Sequence, residues 1–206
     1  MTFPNIGYYS HISNISSKQT IPLDIFLSQI KEGDYQDIVT PIRITKDDAQ
    51  RKFLKDQLPS VTISGIFSVR YDKDLVTHSG FIAVDVDKLG VNAEAFKDMI
   101  ADDPYTYAAF TSVSAGGVCI IVQIEPDRHR DAYQGLAKYY LEKYKQPIDP
   151  TGINPSRPRF ISFDPNIVWN NDSQVFKKYL PKEKKRNLPP VVFVQSEFDD
   201  VVRQII

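Results

Sequence analysis

Residues 81–88 read Phe-Ile-Ala-Val-Asp-Val-Asp-Lys, and this stretch decides the fold that the sequence predicts. Four apolar residues lead into two aspartates, which is typical of a buried strand, and we predict a central strand over residues 78–86. Because side chains two positions apart in a strand share a face, Asp85 and Asp87 project together. A bound Mg²⁺ or Mn²⁺ would offset their mutual repulsion and lost hydration. The stretch therefore predicts a divalent-metal site, with the alternative that both aspartates only cap the following turn.

Periodic patterns on both sides of this strand predict the α+β class. Helices are predicted over residues 22–31, 45–57, 92–100 and 127–144, and further strands over residues 61–70, 105–112, 118–124 and 157–163. We predict one α/β domain of two subdomains over residues 1–180 and a basic, proline-containing linker over 181–190. Residues 191–206 then begin a further segment or form a C-terminal tail.

Composition limits the classes of function. The net charge of −1 excludes a polycationic protein, so any contact with nucleic acid must come from a local patch. A single cysteine, Cys119, excludes an internal disulfide. No apolar run is long enough to cross a membrane, and the N-terminus lacks the design of a secretory signal. We therefore expect a cytoplasmic protein without a membrane partner.

Two later blocks carry further candidate site residues. The turn over residues 112–119, Ser-Val-Ser-Ala-Gly-Gly-Val-Cys, separates two predicted strands, and its small residues would let the backbone and hydroxyls hold phosphate oxygens. Arg157 and Arg159 share a strand face and suit a triphosphate or a nucleic-acid backbone, and a third acid, Asp149, precedes them. The alternatives are a hairpin whose glycines serve geometry alone and two surface arginines paired with acids.

Taken in order, these blocks resemble the archaeo-eukaryotic primase superfamily, and more closely the VirE N-terminal domain family of Bacteroides-type mobile elements and phages. The match rests on residues 58–67, 78–87, 111–117 and 149–165. The resemblance implies a primase-polymerase-like fold, in which an RRM-like antiparallel or mixed sheet carries the metal site. A smaller α/β unit would join this sheet, with the site between the two.

The resemblance also implies roles for individual residues. Asp85 and Asp87 match the catalytic metal-binding pair, and Asp149 is the candidate third acid, with Asp164 as the alternative. Nucleotide-contacting positions are implied at a set of turn and basic residues: Ser112, Ser114, Gly117, Arg157 and Arg159. One departure is Cys119, which stands where primases of this superfamily carry a histidine.

The sequence leaves three functions open. The leading one is a metal-dependent nucleotidyltransferase with Mg²⁺ or Mn²⁺, a nucleoside triphosphate and a single-stranded DNA template, acting in replication with a helicase domain as a further partner. The second is a catalytically inactive primase-like module for nucleic-acid binding or assembly, which the missing histidine favours. The third is a metal-dependent nuclease, because the same two carboxylates also serve hydrolysis.

Overall fold

The computed structural model describes residues 3–16 and 18–181 of the chain. Its elements in chain order are β1 (Asn5–Tyr9), β2 (Gln19–Pro22), α1 (Leu23–Glu32), α2 (Gln36–Ile44), α3 (Asp48–Asp56), β3 (Ser60–Thr62), β4 (Gly65–Phe67), β5 (Leu75–His78), β6 (Phe81–Val86), α4 (Ala93–Ala101), β7 (Thr106–Thr111), β8 (Val118–Gln123), α5 (His129–Tyr144), β9 (Arg159–Phe160) and β10 (Val168–Trp169).

The strands form two four-stranded sheets, in the orders β2-β1-β3-β9 and β10-β7-β8-β6, and β4 pairs with β5. Every one of these pairings is antiparallel. The α+β class is therefore confirmed, with antiparallel sheets.

The sheet that contains β6 lies between two hydrophobic cores. Ile82, Val84 and Val86 point to one face, where they join a core with residues of α4 and α5. Ala83 points to the other face, into a core built largely from α1 and strands of the first sheet. This alternation follows from the period of two along a strand, and it directs Asp85 toward the first sheet.

The prediction that the aspartate strand is central is wrong, because β6 is the edge strand of its sheet. Its apolar residues are buried because packed layers cover both faces, not because strands flank it on both sides. The segment that follows α5 covers the free edge. The Asp149 backbone N–H donates to the Asp85 carbonyl at 2.8 Å, and the Arg159 guanidinium donates to the Ala83 carbonyl at 3.2 Å.

Several predicted boundaries also change. The predicted strand over residues 61–70 is two short strands, β3 and β4, in different sheets. The predicted strand over 78–86 is interrupted by Gly80, whose φ of +84° breaks the extended chain between β5 and β6. Helix α2 was not predicted, since Pro41 lies inside it and proline removes a helical hydrogen bond. The predicted strand over 157–163 is reduced to β9.

The last described residues of the chain follow β10 and pack on the rest of the domain. Lys177 lies 3.0 Å from the Glu125 carboxylate, and the Lys178 ammonium lies over the Tyr139 ring at 4.6 Å. Both lysines make these contacts from exposed positions, so this basic segment keeps a solvated face. Apart from Pro181, the predicted linker over 181–190 and the segment over 191–206 lie outside the described residues. Every helix in residues 3–16 and 18–181 is too short or too polar to span a membrane.

Candidate functional site

A cleft of about 240 Å³ lies where the end of β6, the turn after β7 and the segment leading into β9 meet. Seven of the eight leading site residues line this cleft: Asp85, Asp87, Asp149, Ser112, Ser114, Arg157 and Arg159. The remaining residue, Gly117, lies behind Asp87. Three blocks far apart in the sequence are therefore brought together in space.

Asp85 lies at the base of the cleft with its side chain 19% exposed. Its Oδ2 atom is 2.9 Å from the Arg159 guanidinium. Burial raises the pKa of Asp85, while the positive charge of Arg159 lowers it and the negative charge of Asp87 raises it, with a raised pKa as the net result. Asp87 follows the end of β6 and is exposed.

Gly117 fits closely against the end of β6. A Cβ atom added to Gly117 would lie 2.6 Å from the Val86 carbonyl oxygen and 3.1 Å from Asp87 Oδ1. The turn is closed by a hydrogen bond from the Ser112 backbone N–H to the Gly117 carbonyl at 2.8 Å. The glycine thus lets the turn that carries Ser112 and Ser114 approach the two aspartates.

Asp149 reaches the cleft through the backbone hydrogen bond to Asp85 described above. Its carboxylate accepts from the Thr151 hydroxyl at 2.6 Å and from the Thr151 backbone N–H at 2.9 Å. Burial raises the pKa of Asp149, but these hydrogen bonds and the charges of Arg157 and Arg159 outweigh it, so the pKa is lowered. Asp149 is therefore ionised at neutral pH.

Asp164, the alternative third acid, lies outside the cleft lining and is 3% exposed. It accepts from the Lys97 ammonium at 2.6 Å and from the Thr111 backbone N–H at 2.7 Å. Because Lys97 is itself fully buried, this pair links α4 to the segment after β9 inside the protein. Asp164 thus has a structural position, and Asp149 is the acid that lines the cleft.

Sequence reasoning missed two cationic residues at the site. Lys55, near the end of α3, lines the cleft, and burial lowers its pKa, with a further lowering from Arg51 and an opposing effect from Asp87. Arg43, on α2, donates to the backbone carbonyls of Ser112 at 3.2 Å and Phe163 at 2.7 Å. Arg43 therefore holds the turn over residues 112–119, the candidate phosphate-binding turn, against the segment after β9. Helical spacing alone gave no signal for either contact, because both depend on how α2 and α3 pack.

Cys119 lines the same cleft and pairs with Asp85 across β6 and β8. It is 3% exposed, and burial raises the pKa of its thiol well above the usual value, with a further rise from the charge of Asp85. Cys119 is therefore a neutral side chain at a position that faces the carboxylates.

The carboxylates fit a metal ion that arrives with a phosphate ligand. Within residues 3–16 and 18–181, no three His, Cys, Asp or Glu side chains are grouped closely enough to hold a metal ion. Mg²⁺, however, is commonly bound by one or two carboxylates together with substrate phosphates and water. Asp85 and Asp87 supply such a pair of oxygen donors in one cleft. The donor set therefore suits a metal–nucleotide complex better than a metal ion alone.

A second group of polar residues lies behind the Asp149 segment. His78 Nε2 is 3.1 Å from His129 Nδ1, and His129 Nε2 is 3.4 Å from the Gly152 carbonyl oxygen. His129 lies in the polar first turn of α5, a position that favours a solvated side chain, yet it is only 8% exposed. Burial and the neighbouring His78 lower the pKa of His129 to about 4.

Comparison with known proteins identifies a family for the chain. Residues 53–169 match the family of the BT4734-like, N-terminal domain, and since this is more than half of the chain, the chain belongs to that family. The closer resemblance to the VirE N-terminal domain family is therefore wrong, because the family match is to a different domain. No curated protein and no solved structure matches the chain.

Proposed function

We propose that this member of the BT4734-like family is a metal-dependent nucleotidyltransferase of the primase type, and that its cleft binds the incoming nucleoside triphosphate. The observation that carries the proposal is that three carboxylates, three cationic side chains and the Ser/Gly turn line one cleft. Carboxylates that can hold divalent cations beside cations that can hold phosphates are the parts that phosphoryl transfer requires.

The cationic residues would bind the triphosphate. The Arg157 side chain is 46% exposed and only loosely paired with Asp149, at 4.0 Å, so its guanidinium can turn to an incoming phosphate. Lys55 lines the cleft from α3. Hydroxyl groups of Ser112 and Ser114 and the backbone of their turn can donate to phosphate oxygens.

Asp85 and Asp87 would hold Mg²⁺ or Mn²⁺ as a pair, and Asp149 would join them as the third acid once its carboxylate turns from Thr151. When bound, the cation would offset negative charge on the phosphates and lower the pKa of the attacking hydroxyl. Asp149 is held close to Asp85 by its backbone, although its carboxylate is turned to Thr151. Its ionised state supports a role in binding cations.

The setting that we propose is replication of a mobile element or phage, in the cytoplasm, with single-stranded DNA as the template and a helicase domain as a partner. The primase-polymerase-like arrangement, in which a sheet carries the metal site beside a second α/β unit, belongs to the same proposal. The location of the cleft between β6 of one sheet and β9 of the other supports it.

Template-directed synthesis tests this function. The full chain is incubated with single-stranded DNA, nucleoside triphosphates and Mn²⁺, and product is measured for the wild type, Asp85→Asn and Asp98→Asn. Asp98 is an exposed residue of α4 outside the cleft and serves as the matched control. We expect Asp85→Asn to remain folded by circular dichroism but to lose at least about a hundredfold in rate, while Asp98→Asn keeps the wild-type rate. Equal activity of Asp85→Asn and the wild type would reject the assignment.

A second candidate, a non-catalytic nucleic-acid-binding or assembly module, is favoured by one observation. Asp85 is already paired with Arg159, and the residue opposite it is a neutral, buried Cys119. A module of this kind would bind DNA without metal and with strong dependence on salt. Fluorescence anisotropy with labelled single-stranded DNA in a chelator, read together with the synthesis assay, separates the two candidates, since the module binds DNA without metal and makes no product when Mn²⁺ is added.

A further inference from the structure

Arg159 and Asp85 form an ion pair that joins the two sheets at the base of the cleft. Arg159 lies on β9 of one sheet and Asp85 on β6 of the other. The pair is 2.9 Å long, and the two side chains are only 9% and 19% exposed. Each charge is therefore the principal counter-ion of the other in a place with little water.

One N–H donor of Arg159 also has no hydrogen-bond partner among the described residues. Its Nη2 atom donates to the Ala83 carbonyl at 3.2 Å, and Nη1 approaches the Pro158 carbonyl at 3.3 Å. Its Nε–H is buried and has no hydrogen-bond partner in residues 3–16 and 18–181. A buried donor without an acceptor is unfavourable, and because Arg159 lines the cleft, an entering anion could supply that acceptor.

We propose that Arg159 is an exchangeable counter-ion, which neutralises Asp85 until a divalent cation binds that carboxylate and then transfers its guanidinium to a phosphate of the nucleotide. This inference rests on the function proposed above and concerns the regulation of the same cleft. It differs from a fixed ion pair, in which Arg159 would stay on Asp85 and keep cations out.

The physical reason is that neither buried charge can be left alone. Removing one partner of a buried ion pair is strongly unfavourable, because the other charge remains without compensation. A cation that binds the Asp85 carboxylate therefore leaves Arg159 without a counter-ion unless an anion binds at the same time. An anion that takes Arg159 likewise leaves Asp85 next to Asp87, and the two negative charges then attract a cation.

Binding of metal and phosphate is consequently cooperative in both directions. Linkage requires that the factor by which triphosphate strengthens metal binding equals the factor by which metal strengthens triphosphate binding. Coupling of this kind commonly amounts to about 5–150-fold. The cleft would thus select a metal–nucleotide complex over free metal ions, in keeping with its two neighbouring carboxylate donors.

Equilibrium dialysis tests the exchange, because it counts only metal that is retained by the protein. The full chain is dialysed against Mn²⁺, with and without inorganic triphosphate as the probe anion. For the wild type we expect retained Mn²⁺ to bind at least about tenfold more tightly with triphosphate present. In Arg159→Gln, Asp85 loses its counter-ion, so Mn²⁺ alone should bind at least about tenfold more tightly than to the wild type.

The matched control is Arg157→Gln, which removes a cleft cation that is not paired with Asp85. It should weaken triphosphate binding and, because Asp149 remains bound to Thr151, change the binding of Mn²⁺ alone far less than Arg159→Gln does. The exchange is overturned if the wild type retains both Mn²⁺ and triphosphate but binds Mn²⁺ equally well with and without the anion, and the proposed function survives that result. If the wild type binds neither ligand, the proposed function itself fails. Should Arg159→Gln not fold by circular dichroism, the wild-type comparison and Arg159→Lys, which keeps the charge and should keep the coupling, decide the matter.

Discussion

Cys119 lies directly opposite Asp85 in the antiparallel pairing of β6 with β8, and both side chains line the cleft. Burial raises the pKa of the Cys119 thiol, and the negative charge of Asp85 raises it further. Because Cys119 is the only cysteine of the chain, its reactivity reports on this one point of the cleft.

We expect Cys119 to react slowly with a thiol reagent at pH 7.5, since the thiolate is the reactive form and burial disfavours it. Labelling of the folded protein should be roughly a hundredfold slower than labelling in concentrated guanidinium. Asp85→Asn should accelerate labelling, because the removed charge no longer raises the thiol pKa, whereas Asp98→Asn should not. Fast labelling of the folded wild type, measured by absorbance of the released reagent, would contradict the buried position of Cys119.

Gly117→Ala should distort the end of β6, while Gly116→Ala in the same turn should not. A Cβ on Gly117 would lie 2.6 Å from the Val86 carbonyl oxygen, whereas a Cβ on Gly116 would meet nothing within 4 Å. We expect Gly117→Ala to lower the free energy of unfolding by about 1–3 kcal/mol and to weaken triphosphate binding, because Asp87 is displaced. Urea denaturation and calorimetric titration measure the two effects. Equal behaviour of both variants would show that the close approach is unimportant.

Asp149→Asn and Asp164→Asn should separate binding from stability. Asp164→Asn leaves the fully buried Lys97 with only the exposed carboxylate of Glu94 as counter-ion, at 2.8 Å, and we expect a loss of about 3 kcal/mol in the free energy of unfolding. Asp149→Asn removes a charge at the cleft and should keep the stability near that of the wild type while weakening binding of the Mn²⁺–triphosphate complex. Guanidinium denaturation and calorimetry give the two quantities. The reverse pattern would make Asp164 the functional acid.

The sequence predicted those parts of the site that depend on local pattern. The alternation around Asp85 and Asp87 predicted the strand and the shared location of its carboxylates, and the small residues after β7 predicted a tight turn. The two arginines two positions apart were expected on one face, and both line the cleft although only Arg159 is in a strand. The period-two rule therefore led to the right residues, although Asp87 and Arg157 lie just outside the strands to which it applies.

The parts that the sequence did not predict depend on contacts between distant elements. The edge position of β6 follows from sheet order, which alternation of side chains does not encode. Lys55 and Arg43 reach the site because α2 and α3 pack beside it, and α2 itself was missed because of Pro41. The Asp85–Arg159 pair joins two sheets, so no local pattern could indicate it.

The histidine pair behind the Asp149 segment should make stability depend on pH. His78 Nδ1 accepts from the Gly80 backbone N–H at 3.0 Å, so His78 carries its proton on Nε2 and donates to His129 Nδ1. The His129 Nε2–H then donates to the Gly152 carbonyl, in the turn that follows Asp149. Each ring nitrogen of His78 and His129 therefore has a hydrogen-bond partner only while both rings are neutral.

Acid should therefore weaken the fold. Burial lowers the pKa of His78, and burial together with His78 lowers that of His129 to about 4, so the unfolded chain binds these protons more readily than the folded one. The stabilisation is complete above about pH 6.5 and is lost as the pH falls from there toward 4, with an upper limit of about 3 kcal/mol from His129. Urea denaturation at pH 7 and pH 5 measures this loss. His129→Leu should flatten the difference between the two pH values, and His11→Leu, in the half-exposed N-terminal loop, should retain it. An unchanged difference in His129→Leu would show that the histidine pair does not link pH to stability.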